Sequence, residues 1–279
     1  MVTTSEMGRL SPWRDSSALD GQQAREHAAR LELRAASESE VAVRDDYVRL
    51  LNVAPGEHVL DVGCGSGAAT RTLAERVAPT GRVTGVDPSG ALLKITRELV
   101  DKAGLGRFIE LQEGDCRALP FSDASFDAVL AATALSHIPD PKRALSEMVR
   151  VTRPGGRVGV FDVDGDLTLF AHPDRELTRR IIAAYSDLGW VNSWFMRGLP
   201  GLLAELGIVN VKTKPFMPLE TGGYYATRAE RSAEAAAKAG VITDDELACW
   251  LATLREEIAA KRFLGGQVHL FVWGMRPAS

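Results

Sequence analysis

An open, doubly wound α/β sheet is the fold class that this sequence predicts, and three observations carry it. Short apolar runs alternate with amphipathic segments from about residue 58 to residue 162. A glycine-rich turn, Gly63-Cys64-Gly65-Ser66-Gly67, joins the first run to the segment behind it. Proline–glycine punctuation at Pro55-Gly56, Pro79-Thr80-Gly81 and Pro154-Gly155-Gly156 marks off the units. Strands that alternate with helices pair in parallel through right-handed crossovers. A chain of 279 residues suits one such domain with insertions better than two.

The elements follow in order. Residues 21–51 are rich in Ala, Glu and Arg, with neither Gly nor Pro after Gly21, which reads as one or two helices. Pro55 ends them, because proline disfavours helical geometry in the residue before it. Residues 58–62 form the first strand. Beyond the glycines, Ala69, Leu73 and Val77 share one helix face. A second strand spans 82–86, and Ser89 can cap the next helix, whose apolar face carries Leu92, Ile95 and Leu99. Third and fourth strands span 108–111 and 126–130. A helix at 142–151 stops at Arg153-Pro154-Gly155-Gly156, and a fifth strand spans 157–162.

After Asp166 the rhythm changes. Helices are expected at 174–188, 199–206, 227–239 and 243–261, with strands near 208–213 and 267–274. Residues 1–51 read as an N-terminal helical cap and 52–279 as the core, with a helical insert at about 215–262 lying over one edge.

Composition narrows the function classes. Hydrophobic residues make up 45% and charged residues 25%, the balance of a globular chain. The formal charge of −4 and the lack of a basic run disfavour a nucleic-acid partner. No apolar stretch approaches the roughly 18–20 residues of a membrane span. Residues 1–19 show no signal-peptide pattern, so the cytoplasm is the expected location. Cys64, Cys116 and Cys249 have no zinc-like spacing and read as free buried thiols, and no metal is expected.

The chemistry concentrates around the glycine turn. Glycines there let the backbone approach a ligand where a Cβ would clash. Asp87 closes the second strand, where a carboxylate can accept both hydroxyls of a ribose. Gly63-x-Gly65-x-x-Ala68 alone also fits a dinucleotide site. Asp61 argues otherwise, because a carboxylate at that strand end repels a pyrophosphate and suits a cationic ligand bearing an amino acid. Gly114-Asp115-Cys116 follows the third strand, where a carboxylate can accept from an adenine amino group.

With these residues in place, the chain resembles the class I S-adenosylmethionine-dependent methyltransferases, in the broad group similar to ubiquinone and menaquinone methyltransferases. Leu60-Asp61-Val62-Gly63-Cys64-Gly65-Ser66-Gly67 matches that family's first motif and Gly85-Val86-Asp87 its second. Glu113-Gly114-Asp115 matches the third, Phe126-Asp127 the fourth strand, and Arg153-Pro154-Gly155-Gly156 the turn before the fifth. The match is strong over about residues 45–163. Gly274-Met275-Arg276-Pro277 is similar to the closing strand. The resemblance implies a seven-stranded Rossmann-like sheet whose last strand is antiparallel and inserted between strands five and six. It implies S-adenosyl-L-methionine as cofactor. Gly63 and Gly65 would meet the methionine moiety, with Asp61 near its ammonium and Thr133 near its tail. Asp87 would hold the ribose, Pro88 and Ser89 would lie beside the adenine, Asp115 would reach its amino group, and Cys116 would present its backbone amide. Arg34 has two readings, a cation for the methionine carboxylate or a solvated helix charge.

Other residues also carry two readings. His137, after the fourth strand, is a general base or packs on the cofactor. Asp162 and Asp164 position a substrate cation or take a proton, or else cap a helix before Leu167. His269 and Tyr47 read first as packed residues. Trp190, Trp194, Phe195 and Met196 are an aromatic wall or plain packing. Tyr224 and Tyr225, behind a Gly222-Gly223 hinge, are a closing flap or a surface loop. Residues 25–34 carry mixed signs and read as a solvated helix face.

The expected function is methyl transfer to an O, N or C atom of a small organic acceptor, by a monomer or homodimer without nucleic-acid or membrane partners. Two rivals are a non-methylating catalyst or binding module on the same fold, and an NAD(P)-dependent oxidoreductase.

Overall fold

The computed structural model describes residues 16–278. The readings that fall on residues 1–15, in the N-terminal cap and the signal-peptide window, lie outside the described residues.

Helices α1 (Gly21–Ala35) and α2 (Glu38–Leu51) precede the sheet. Asp20 caps α1 by accepting N–H bonds from Gln22 and Gln23, and the Gln23 side chain returns a bond to the Asp20 N–H. The core then alternates: β1 (His58–Val62), α3 (Ala68–Val77), β2 (Arg82–Asp87), α4 (Gly90–Lys102), β3 (Ile109–Glu113), β4 (Phe126–Ala132), α5 (Pro141–Val151) and β5 (Thr152–Phe170). Behind it come α6 (Arg175–Gly189), α7 (Phe195–Glu205), β6 (Val209–Phe216), β7 (Leu219–Glu220), α8 (Gly223–Lys238), α9 (Asp244–Ala259) and β8 (Gly265–Met275).

The strands lie in the order β3-β2-β1-β4-β5-β8-β6. The five from β3 to β5 are parallel, and β8 runs antiparallel between β5 and β6. This is the seven-stranded path that the resemblance implied. The two-residue β7 adds an eighth strand against the start of β8. The order reverses between β1 and β4, so their carboxyl ends open a crevice where ligands bind in such sheets.

Side chains alternate along β1. Leu60 and Val62 join one buried face with Val129, Met148 and Leu199. Val59 points to the other, with Val48, Leu73 and Val83. Asp61 shares the face of Val59, which sets it against α3. A third apolar cluster unites α6, α8 and α9 through Ile181, Ala229, Trp250 and Tyr225. The Trp250 indole N–H donates to Thr178 Oγ1 at 3.0 Å.

Several boundaries differ from the sequence reading. β5 continues to Phe170, where its second half still pairs with β8. No helix begins near Leu167, so neither Asp162 nor Asp164 caps one. α7 begins at Phe195, because buried Met196 and half-buried Phe195 join the core. α8 begins at Gly223, which makes Tyr224 and Tyr225 helical rather than part of a loop. The full burial of Tyr225 holds that first turn. Cys64 is buried, Cys116 half-buried and Cys249 exposed, so the expectation of three buried thiols is corrected, although all three are free. Among the described residues, no helix is long and apolar enough to cross a membrane.

Candidate active site

The turn after β1 is built on its glycines. Gly63 has φ +72°, and a Cβ there would lie 2.6 Å from the Ala134 Cβ. The N–H groups of Gly63 and Cys64 both donate to the Val86 carbonyl, at 2.8 and 3.0 Å. The Thr96 hydroxyl on α4 donates to the Gly65 carbonyl at 2.6 Å. Arg71 on α3 donates to the Ser66 carbonyl and grips both oxygens of Glu32, which ties α1 across the mouth of the turn. Gly63→Ala should therefore push the β1 and β4 loops apart. We expect at least tenfold weaker S-adenosylhomocysteine binding by calorimetry and a loss of about 1–3 kcal/mol in stability. Wild-type values for both would refute the close approach.

Two carboxylates flank this turn. Asp87 is buried; its Oδ2 accepts the Gly65 N–H and its Oδ1 the Ser89 N–H, each at 3.0 Å. A carboxylate oxygen has two lone pairs, so acceptor capacity remains after both bonds. Burial raises the Asp87 pKa, against the two N–H donors. Asp61 accepts from the Thr70 hydroxyl at 2.6 Å, and burial pushes it up to about 6.

Past β4, Thr133 sits at φ +53°, a rare state for a β-branched residue. Its N–H donates to the Phe161 carbonyl at 2.6 Å, which pins it to β5. Asp162, fully buried, accepts the Ser136 N–H at 3.0 Å and so anchors the turn that carries His137. Burial, then the charges of Arg228 and Arg34, hold His137 down at about 3. Asp164 is committed elsewhere, to a two-pronged ion pair with Arg197.

The roof comes from α1, α2, α6 and α8. Arg34 pairs with Glu40 at 3.0 Å, and the Tyr225 hydroxyl donates to Glu40, also at 3.0 Å. Burial opposes both charges, but each partner holds the other ionised. Arg34 also donates to Nε2 of His269, 3.0 Å away. His269 Nδ1 then donates to the Gln267 carbonyl, which fixes the tautomer. This histidine is buried and stacked on Phe161, the packed role that its sequence context favoured. Tyr47 stacks on the same Phe161 ring, with 4.5 Å between ring centres.

One cavity runs through these groups. Asp61, Gly63, Gly65, Asp87 and Pro88 line it from β1, β2 and the turns behind them, Thr133 and His137 from the loop behind β4, and Arg34, Trp190 and Arg228 from the roof. Ser89 is buried beside it and caps α4 through the Leu92 N–H. Asp115 and Cys116 are not in the lining. The Asp115 carboxylate turns to Arg117, 2.7 Å away and exposed, although the Gly114 N–H still donates to the Asp87 carbonyl next door. The aromatic group splits: Trp190 is buried on the cavity, Trp194 is exposed under Arg197, and Met196 is core. The mixed charges of α1 are divided: Arg25 and Glu26 are exposed, as a solvated face requires, whereas Arg30 and Arg34 line the cavity.

The open α/β fold opens its crevice at the β1/β4 reversal, the position at which sheets of this class hold nucleoside cofactors. A methyltransferase-domain family profile matches residues 60–160. The demethylmenaquinone methyltransferase of Geobacillus kaustophilus is 34% identical over 62% of this chain and 80% of its own length. An uncharacterised 37.1 kDa transposon protein of Streptomyces fradiae is 32% identical over 69% of this chain, which spans only 56% of that relative. In fold, a proposed methyltransferase of Bacillus halodurans is similar, with TM-score 0.59 and 19% identity, over 85% of this chain and 99% of that one. The chain belongs to the class I S-adenosylmethionine-dependent methyltransferase family, and S-adenosylmethionine is its cofactor.

Sequence reasoning missed Glu40, Tyr185 and Arg228. A signal for the last existed: Tyr224 and Arg228 stand at i, i+4 spacing on one helix face, which becomes visible once α8 is started at Gly223.

Proposed function

We propose that this chain transfers the cofactor's methyl group to an O, N or C atom of a small organic acceptor enclosed between the sheet and its helical roof. The observation that carries this reading is that Asp87, Thr133, His137, Trp190 and Arg228 all line one cavity. S-adenosylmethionine supplies a sulfonium methyl already activated for displacement, so alignment is the main demand on the protein. Asp87 accepts from the ribose hydroxyls, and Gly63 and Gly65 admit the methionine moiety. The cofactor's ammonium holds Asp61 ionised, which its buried setting otherwise resists. Pro88 and Ser89 flank the adenine. Asp115 reaches the adenine amino group by leaving Arg117, an exposed pair worth little, and Cys116 offers its backbone amide. Arg34, though paired with Glu40, has further N–H groups for the methionine carboxylate.

Calorimetry tests the cofactor half: S-adenosylhomocysteine should bind at micromolar level, roughly −8 kcal/mol, and NAD(P) should not. Methyl-labelled S-adenosylmethionine tests the acceptor half. Label recovered on a small molecule supports the reading, whereas label on RNA or protein, or no transfer with any fraction, overturns it.

His137 belongs to this proposal as a packing residue. A base must reach its protonated form, and the burial and two arginines around this imidazole oppose that form. At pH 6–8 it stays neutral, so saturated turnover should show no limb near the ordinary histidine pKa. His137→Ala should weaken cofactor binding and leave kcat within about threefold. A base would instead cost about 10²–10⁴-fold in kcat at unchanged affinity.

A further inference from the structure

In the roof of the cavity, on α8 and α1, stands a group of cations that has no ion pair among the described residues, although the Glu26 charge bears on Arg30. Arg228, on α8, lies among three aromatic rings: its guanidinium carbon is 5.0 Å from the Trp190 ring centre, 5.4 Å from Tyr185 and 5.9 Å from Tyr224. Nη1 donates to the Tyr224 hydroxyl at 2.8 Å. Nε is buried and has no hydrogen-bond partner. Arg231, one turn further along α8, and Arg30, on α1, line the same cavity, and Arg30 lies near enough to Arg231, Tyr185 and Tyr224 to feel their charges. Among the described residues, none of these three arginines has a carboxylate within ion-pair distance. Burial and then the charge of Arg231 hold Arg30 below its ordinary guanidinium range, so the cations act on one another. The same two charges, after burial, push His27 down to about 4.

The cavity is thus polarised. Its carboxylates, Asp61, Asp87 and Asp162, sit at the sheet, while Glu40 is already matched by Arg34. Its unmatched cations sit in the roof. The aromatic faces there are occupied by Arg228, so the box is not open to a substrate cation. A buried donor without an acceptor is costly unless a ligand satisfies it, and a guanidinium fork fits a carboxylate in two-pronged fashion. We propose that the acceptor carries a carboxylate or similar anion on a flat apolar body, with the anion received by Arg228 and supported by Arg231 and Arg30. This rests on the methyl-transfer reading of the cavity and adds the charge class of the acceptor.

Benzoate and benzamide, alike in shape and unlike in charge, are the probes, titrated by calorimetry into protein saturated with S-adenosylhomocysteine. Benzoate should bind at least tenfold tighter than benzamide. Arg228→Gln should remove at least tenfold of that affinity, and Arg231→Gln at least threefold, with S-adenosylhomocysteine affinity held within twofold in both. Arg231→Gln keeps the test open if the buried Arg228 variant does not fold. Equal binding of the two probes overturns the proposal. So does a loss of S-adenosylhomocysteine affinity in the folded variants, which would give these arginines to the cofactor's own carboxylate. Failure of the wild-type chain to bind S-adenosylhomocysteine is a different result: it removes the methyl-transfer reading itself, and benzoate titrated into the unliganded protein then decides whether the anion site exists.

Discussion

Glu40→Ala should unfold this protein well below the wild-type temperature. The carboxylate lies at the junction of α2, α8 and the cavity, where it is 5% exposed and meets both Arg34 and the Tyr225 hydroxyl. Its removal leaves a buried guanidinium without an anion, a change that costs about 3–5 kcal/mol. In a chain of this size that lowers Tm by roughly 6–20 °C. The effect is one of an unmatched charge rather than a lost attraction, so Glu40→Leu combined with Arg34→Met should recover at least half of it. Thermal melts of the single and double variants make the check. A single variant melting within about 2 °C of wild type would show that water reaches Arg34 and that the roof is looser than its contacts imply.

Asp87→Ala should lose the cofactor. A charged acceptor to ribose hydroxyls is worth about 1.5–3 kcal/mol, or roughly 10–150-fold in Kd. The same carboxylate also joins the Gly65 N–H to the Ser89 N–H, so it braces the glycine turn against the start of α4. Alanine removes both functions. Asp87→Asn separates them, because its amide oxygen still accepts one of the two N–H bonds. The asparagine variant should melt closer to wild type yet bind S-adenosylhomocysteine at least tenfold more weakly. If Asp87→Ala binds with wild-type affinity, the ribose lies elsewhere.

The alternating core was legible because its signals are local. β1 matched its expected span, and α5 and α6 came within a residue or two of theirs, since each is bounded by glycine, proline or a capping aspartate. The antiparallel place of β8 came from the motif resemblance, and no pattern within residues 265–275 dictates its neighbours. What the sequence concealed was set by distant partners. Gly222-Gly223 looks like a break, but burial of Tyr225 against Glu40, 185 positions away, winds that segment into α8. Asp115 looks like a cavity residue by spacing, yet Arg117 two positions later draws its carboxylate outward. Arg34 and Glu40 look like ordinary charges of surface helices, and only their meeting with Tyr225 of α8 and His269 of β8 makes them an enclosed pair. The glycine-loop side of the cavity is thus written in contiguous motifs, whereas its roof is assembled from α1, α6 and α8 and has no contiguous signature.

The place of β8 also bears on synthesis. When β5 has left the ribosome, the strands from β3 to β5 can already pair, but the far edge of β5 has no neighbour. About 100 residues separate Val163 from Gly265, the start of the strand that covers it. At translation rates of about 5–20 residues per second, the nascent chain carries that apolar edge uncovered for roughly 5–20 s. Its Val158, Val160 and Phe161 are then open to pairing with another nascent chain on the same message. Crowded polysomes are therefore the setting in which this fold is most exposed to misassembly, and slow codons between β5 and β8 would lengthen that interval.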